Sequence, residues 1–142
     1  MTKPLFIVGT RPEIIKISSL VNRIDSNVLF TGQHFDIEMS EFFFKLIKSA
    51  PLINLNGRNY KDKNWGSFTN DIKSQIKKIN PSSVVVQGDT NTTLYGAVAA
   101  KSSGVKINYI ESGMRSGDIT QVEEFNRIIV AGLADKNFCN HK

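Results

Sequence analysis

Four short polar motifs hold side chains that could do chemistry, and each follows an apolar run directly. Gly9-Thr10-Arg11-Pro12-Glu13 follows Leu5 to Val8, and Thr31-Gly32-Gln33-His34 closes the run that begins at Asn27. Gly88-Asp89-Thr90 follows Val84-Val85-Val86-Gln87, and Glu111-Ser112-Gly113-Met114-Arg115 follows Lys106 to Ile110. The first motif has the makings of an anion site. Gly9 permits a tight turn and Pro12 suits the first turn of a helix. The backbone N–H groups at such a helix start attract phosphate, and Arg11 can add a two-pronged contact. A plainer reading makes Thr10 and Glu13 a helix capping box, and the two readings are compatible. The motif is neither a P-loop nor the Gly-x-Gly-x-x-Gly dinucleotide fingerprint, which argues against a nicotinamide dehydrogenase.

The other motifs supply carboxylates. Asp89 sits at a strand end, where it either reacts or caps the following helix, the latter stabilising by about 1 kcal/mol. Glu111 ends an apolar strand, a partly desolvated position suited to proton transfer. Arg115 is near enough in sequence to make Glu111 half of a structural ion pair instead. Lys16 lies one turn into the first helix, either as a cation at the mouth of an anion site or as a lysine snorkelling from the core rim. Glu123 and Arg127 are four apart on a helix, which by spacing alone reads as a surface salt bridge. His34 stands in a loop. With His141 the other histidine and Cys139 the one cysteine, no metal-ligand spacing or nucleophile–base pairing is visible.

Positioning these groups requires a scaffold, and hydropathy patterning supplies one. Strands are expected over Lys3–Val8, Asn27–Thr31, Pro51–Leu55, Ser83–Gln87, Lys106–Ile110 and Lys136–Cys139. Helices are expected over Pro12–Ile24, Ile37–Lys48, Trp65–Ile79, Thr92–Lys101 and Gln121–Ala134. The first helix would turn Ile14, Ile15, Ile17, Leu20, Val21 and Ile24 inward. The last would bury Phe125, Ile128, Ile129 and Gly132, with Glu123 and Arg127 on the opposite face. Asn80-Pro81 ends the third helix. Strands alternating with helices imply βαβ units, and uninterrupted apolar strands imply cover on both faces. The fold class is α/β: a Rossmann-like, doubly wound parallel sheet of about six strands. In such a sheet all four motifs fall at the carboxyl edge, where these folds bind ligands.

Size and composition agree. The 142 residues suit one domain, spanning residues 1–142, and can bury a core without disulfide or metal staples. Hydrophobic residues make up 40% and charged residues 22%, which is ordinary globular composition. A net charge of +5 suits a diphosphate ligand. Lys73 and Lys77 share a helical face, but Asp62 and Asp71 dilute the run of Lys61, Lys63, Lys73, Lys77 and Lys78, so a solvated helix face is expected and a nucleic-acid partner is not. The apolar runs are too short for a signal or membrane segment. A cytoplasmic protein is expected, and one cysteine fits a reducing compartment.

Taken in order, the motifs resemble those of the non-hydrolysing UDP-N-acetylglucosamine 2-epimerases. Gly9-Thr10-Arg11-Pro12-Glu13-Ile14-Ile15-Lys16 is similar to the family's opening motif, and Thr31-Gly32-Gln33-His34 to its second-strand loop. Gln87-Gly88-Asp89-Thr90-Asn91-Thr92-Thr93 resembles its central Gly-Asp-Thr motif, and Glu111 to Asp118 its Glu-Ala-Gly-Leu-Arg segment. Glu123-Glu124-Phe125-Asn126-Arg127 falls where the family has Pro-Glu-Glu-x-Asn-Arg. Ser112 replaces an alanine of that pattern and Val122 a proline.

The resemblance implies half of a two-domain, GT-B-like fold, with the second domain absent from these 142 residues and the chain expected to be a fragment in that sense. It implies inversion at C2 of a UDP-sugar by elimination and re-addition of UDP, without cofactor or metal. It makes Asp89, Glu111 and Glu123 acid–base candidates, Lys16 and Arg127 their charge partners, and Arg11 a diphosphate contact. Gln33 and His34 resemble an allosteric UDP-N-acetylglucosamine site, and the full-length enzyme is expected to be a homodimer. A hydrolysing 2-epimerase, a GT-B glycosyltransferase domain and a non-catalytic nucleotide-sugar-binding module remain the alternatives.

Overall fold

A computed structural model of the chain describes residues 2–33, 41, 45–48, 50–55 and 64–140. Its strands are β1 (Leu5–Val8), β2 (Asn27–Phe30), β3 (Leu52–Asn54), β4 (Val84–Gln87), β5 (Ile107–Ser112) and β6 (Lys136–Cys139). Its described helices are α1 (Arg11–Val21), α2 (Trp65–Ile79), α3 (Asn91–Ser102) and α4 (Val122–Leu133). The six strands form one sheet in the order β3-β2-β1-β4-β5-β6, and every pairing is parallel. This is the expected doubly wound arrangement, and its strand order reverses between β1 and β4. The helix expected over Ile37–Lys48 falls mostly on residues outside the described ones, as does most of the loop expected over Asn56–Asn64.

Successive strand residues point to opposite faces, so each central strand feeds two cores. Phe6, Val8, Val28, Phe30 and Val85 pack on one face with Ile14, Ile17 and Val21 of α1. Leu5, Ile7, Val84, Val86, Ile107 and Tyr109 pack on the other with Phe68, Ile72 and Ile76 of α2 and the alanines of α3. β1 and β4 are buried throughout. Helix ends follow their local chemistry. Asn64 caps α2 by accepting the Ser67 N–H at 3.1 Å, and Asn80 closes it in the left-handed region at φ 49°.

Two helix faces differ from the expectation. In α1, Ile14, Ile17 and Val21 are buried as expected, whereas Ile15 and Leu20 are exposed, as is Ile24 beyond the helix end at Val21. Leu20 and Ile24 border an apolar depression with Phe6, Val85, Ile110 and Phe138. No described residue covers the sheet there, so apolar side chains that face it retain contact with water. In α4 the buried side chains are Glu124, Asn126 and Val130, while Phe125 and Ile128 are exposed and Ile129 only partly buried. The helix turns its polar stripe toward the strand-end loops because those loops offer it enough hydrogen-bond partners.

Candidate active site

The β1–α1, β4–α3 and β5–α4 connections meet at the carboxyl edge of the sheet, over the point where the strand order reverses. They enclose a cleft of about 210 Å³ lined by Glu13, Lys16, Gln87, Asp89, Glu111 and Arg127, among others. Of the sequence-derived candidates, Lys16, Asp89, Glu111 and Arg127 are therefore brought together. Arg11 and Glu123 do not line the cleft; Glu123 is exposed in the first turn of α4. Gln33 stands beside the start of α3, and His34 lies outside the described residues.

Two opposite-charge pairs face the cleft. Lys16 Nζ lies 2.6 Å from Glu111 Oε1, and Arg127 Nη2 pairs with Asp89 Oδ2. Glu111 is thus not the partner of Arg115. Lys16, in the second turn of α1, reaches Glu111, whereas Arg115 bonds Glu124 at 2.6 Å. Nor does Asp89 cap α3. The cap is Thr90, whose hydroxyl accepts the Thr93 N–H at 3.2 Å, which leaves the Asp89 carboxylate for Arg127. Asn126 fixes the Asp89 backbone by donating to its carbonyl at 2.9 Å. Tyr109 donates to the Gly88 carbonyl at 2.7 Å. Burial, reinforced by the Asp89 charge, pushes that phenol up to about 12, so it serves as a neutral donor.

The anion site expected at the start of α1 is already filled by the protein. Glu13, in the first turn of the helix and 3% exposed, accepts the Gly9 and Thr10 N–H groups at 2.8 and 2.7 Å through Oε2. The capping box is present, and it consumes those donors. The other carboxylate oxygen accepts the Thr90 hydroxyl at 2.7 Å, tying the β1–α1 turn to the β4–α3 turn. Gly9 belongs at this junction because an added Cβ would lie 2.1 Å from Thr92 Oγ1. Gln33 braces the same corner: its Oε1 accepts the Thr92 N–H at 2.9 Å.

Glu124, not the adjacent Glu123, is the carboxylate that α4 turns inward. It is completely buried and accepts from Arg115 Nε, the Ser116 and Gly117 N–H groups and Arg127 Nη1, at 2.6, 3.0, 3.3 and 3.3 Å. It organises the β5–α4 loop and holds Arg127 against Asp89. The Ser116 N–H, followed by Arg115, holds its carboxyl down at about 2. Unfolding releases the group toward 4.5. Its contribution to stability is therefore complete above pH 4.5 and is lost as pH falls through that window toward 2. Glu124→Gln is expected to be less stable than the parent at neutral pH, and the gap should narrow on acidification. Urea unfolding across the window measures it, and a gap independent of pH would remove Glu124 as the titrating group.

A doubly wound α/β domain with paired carboxylates and cations at its topological switch point is of the class that binds a ligand beyond its strand ends. Comparison with known proteins makes this specific. The family described as UDP-N-acetylglucosamine 2-epimerase matches residues 19–142, and the chain belongs to that family. A protein of Methanococcus maripaludis named UDP-N-acetylglucosamine 2-epimerase is 38% identical over 147 residues, covering 100% of this chain and 40% of the relative. A Pseudomonas aeruginosa protein named UDP-2,3-diacetamido-2,3-dideoxy-D-glucuronate 2-epimerase is also 38% identical, covering 96% of this chain and 41% of the relative. The crystal structure of Methanocaldococcus jannaschii UDP-GlcNAc 2-epimerase in complex with UDP-GlcNAc and UDP superposes with a TM-score of 0.85 at 36% identity, covering 96% of this chain and 40% of that one. The chain thus spans about 40% of the length of the relatives it matches.

Proposed function

We propose that the full-length protein is a non-hydrolysing UDP-N-acetylglucosamine 2-epimerase and that these 142 residues form one wall of its active site. The observation that carries the reading is the pair of ion pairs, Lys16–Glu111 and Arg127–Asp89, facing one cleft at the switch point. The C2 proton of the sugar is weakly acidic. Departure of UDP from C1 must therefore run ahead of its removal, and charge on the leaving diphosphate must be stabilised. A carboxylate takes the C2 proton as the C1–O bond breaks, giving 2-acetamidoglucal and UDP. UDP oxygen then re-forms the C1 bond while a proton is returned to the opposite face of C2.

Asp89 and Glu111 are the acid–base candidates lining the cleft. Lys16 and Arg127 offset charge beside them, and both are positioned to exchange a carboxylate partner for phosphate oxygen. Arg11 is assigned to the diphosphate, Glu123 to proton transfer from the open side of the cleft, and Gln33 with His34 to a regulatory nucleotide-sugar site. The protein acts in the cytoplasm as a homodimer, and its product supplies sugar for cell-surface polysaccharide. A 2,3-diacetamido uronic sugar is the second substrate reading, favoured by the identity to the Pseudomonas aeruginosa relative.

The test is incubation of the full-length protein with each UDP-sugar, followed by NMR. Accumulation of the C2-inverted UDP-sugar with solvent deuterium at C2 is expected. Free N-acetylmannosamine would identify a hydrolase instead. Residues 1–142 alone should give no turnover, because one wall neither excludes water nor holds both faces of the sugar.

A further inference from the structure

Glu111 is one of two described non-glycine residues with positive φ, at 66°. Asn80, the other, is a helix C-cap, where that conformation is routine. A glutamate there is strained, and such strain persists only where surrounding contacts over-determine the residue. Two side chains do so from different elements. Lys16 of α1 binds Oε1 at 2.6 Å. Gln87, the last residue of β4, donates its Nε2 to Oε2 from the neighbouring strand.

Gln87 is not placed for stability. Gln87 is 3% exposed, yet its Oε1 is buried with no hydrogen-bond partner among the described residues. Leaving a buried carbonyl unpaired is costly, and a side chain chosen for folding alone would not carry one. It also lines the cleft beside Asp89 and Glu111. A buried amide that satisfies one carboxylate oxygen while its own oxygen goes unpaired is selected for where it holds that carboxylate.

We propose that Gln87 is the positioning residue of this site: its amide N–H sets the orientation of the Glu111 carboxylate at the end of β5. The lysine contact alone cannot set that orientation. Lys16 is flexible, half-exposed and touches one oxygen, whereas a second donor on the other oxygen fixes the carboxylate plane. The inference rests on the proposed role of Glu111 in proton transfer, and a misaimed carboxylate then slows chemistry without weakening substrate binding.

The test uses the full-length protein and Gln87→Met, which keeps side-chain length while removing donor and acceptor together. The expected result is a kcat lower by about 10- to 100-fold with KM changed by less than about twofold, and a melting temperature no lower than that of the parent. Unchanged kcat, or a loss of activity that merely follows a fall in melting temperature, would overturn the proposal. A second readout does not depend on turnover. In side-chain amide NMR the Gln87 NH₂ resonances should shift and lose exchange protection on Glu111→Gln. If they do, and the parent shows no epimerase activity, the Gln87–Glu111 coupling stands and the functional reading fails. If they do not move, Gln87 does not position Glu111, whatever the reaction.

Discussion

If the full-length protein is the proposed epimerase, Glu111→Gln is expected to lower the rate of C2 inversion by about 10²- to 10⁴-fold, the usual range for removing a general acid or base. Asp89→Asn is expected to do the same. Neither substitution should harm the fold. The new amide oxygen at position 111 still accepts from Lys16. Its NH₂ meets Gln87, whose unpaired Oε1 can turn to receive it. At position 89 the amide oxygen continues to accept from Arg127, and the Asn126 contact is to backbone and unaffected. Each ion pair is partly open to solvent, so its loss as a charge pair costs less than about 1 kcal/mol. The experiment is steady-state kinetics by NMR alongside urea unfolding on each variant. Full activity in both amide variants would move the chemistry to other groups. Loss of activity together with a large loss of stability would make the carboxylates structural.

Glu13→Ala destabilises the protein by about 3 kcal/mol, since each buried donor left without an acceptor costs roughly 1–3 kcal/mol. The donors are the Gly9 and Thr10 N–H groups and the Thr10, Thr90 and Thr93 hydroxyls. Glu13→Gln behaves differently and costs less than about 1 kcal/mol, since the buried backbone donors keep an acceptor. Its amide oxygen can take over the two backbone donors, while its NH₂ faces the Thr90 and Thr93 hydroxyls, which can accept.

Desolvation raises the Glu13 carboxyl above 4.5 despite its donors, so the neutral form is tolerated. The pH effect is opposite in sign to that of Glu124. Stability falls as pH rises from 4.5 through the folded value, and Glu13→Gln lacks that slope. Denaturant titrations of the three proteins over acidic and neutral pH separate these outcomes. An alanine variant within about 0.5 kcal/mol of the parent, the spread of ordinary surface substitutions, would show that Glu13 does not clamp the two turns together.

The sheet and its functional edge were legible in the amino-acid sequence. Val84-Val85-Val86 and Leu5 to Val8 can be satisfied only by cover on both faces, and alternation with helices then forces a parallel sheet. Once the sheet is parallel, Gly9, Thr31, Gly88 and Glu111 must lie on one edge, because every strand ends there. Partnership was not legible. Lys16 is 95 residues from Glu111, and nothing local distinguishes it from a snorkelling lysine. Arg115, four residues from Glu111, was the nearer candidate on sequence separation.

Nor could periodicity choose between Glu123 and Glu124. They differ by about 100° around the helix, and the hydrophobic pattern assigned the inward face to Phe125 and Ile128. That pattern assumes that carboxylates seek water. Tertiary structure decided otherwise, because the β5–α4 loop presents two backbone N–H groups and the Arg115 guanidinium to one carboxylate, which Arg127 of the same helix also binds. A carboxylate with that many donors is stable inside, and the aromatic ring beside it is left outside. Periodic patterning determines which segments form strands and helices and which edge carries the chemistry. The identity of the groups that meet there depends on donors and acceptors contributed by distant turns, and those come together only in the folded chain.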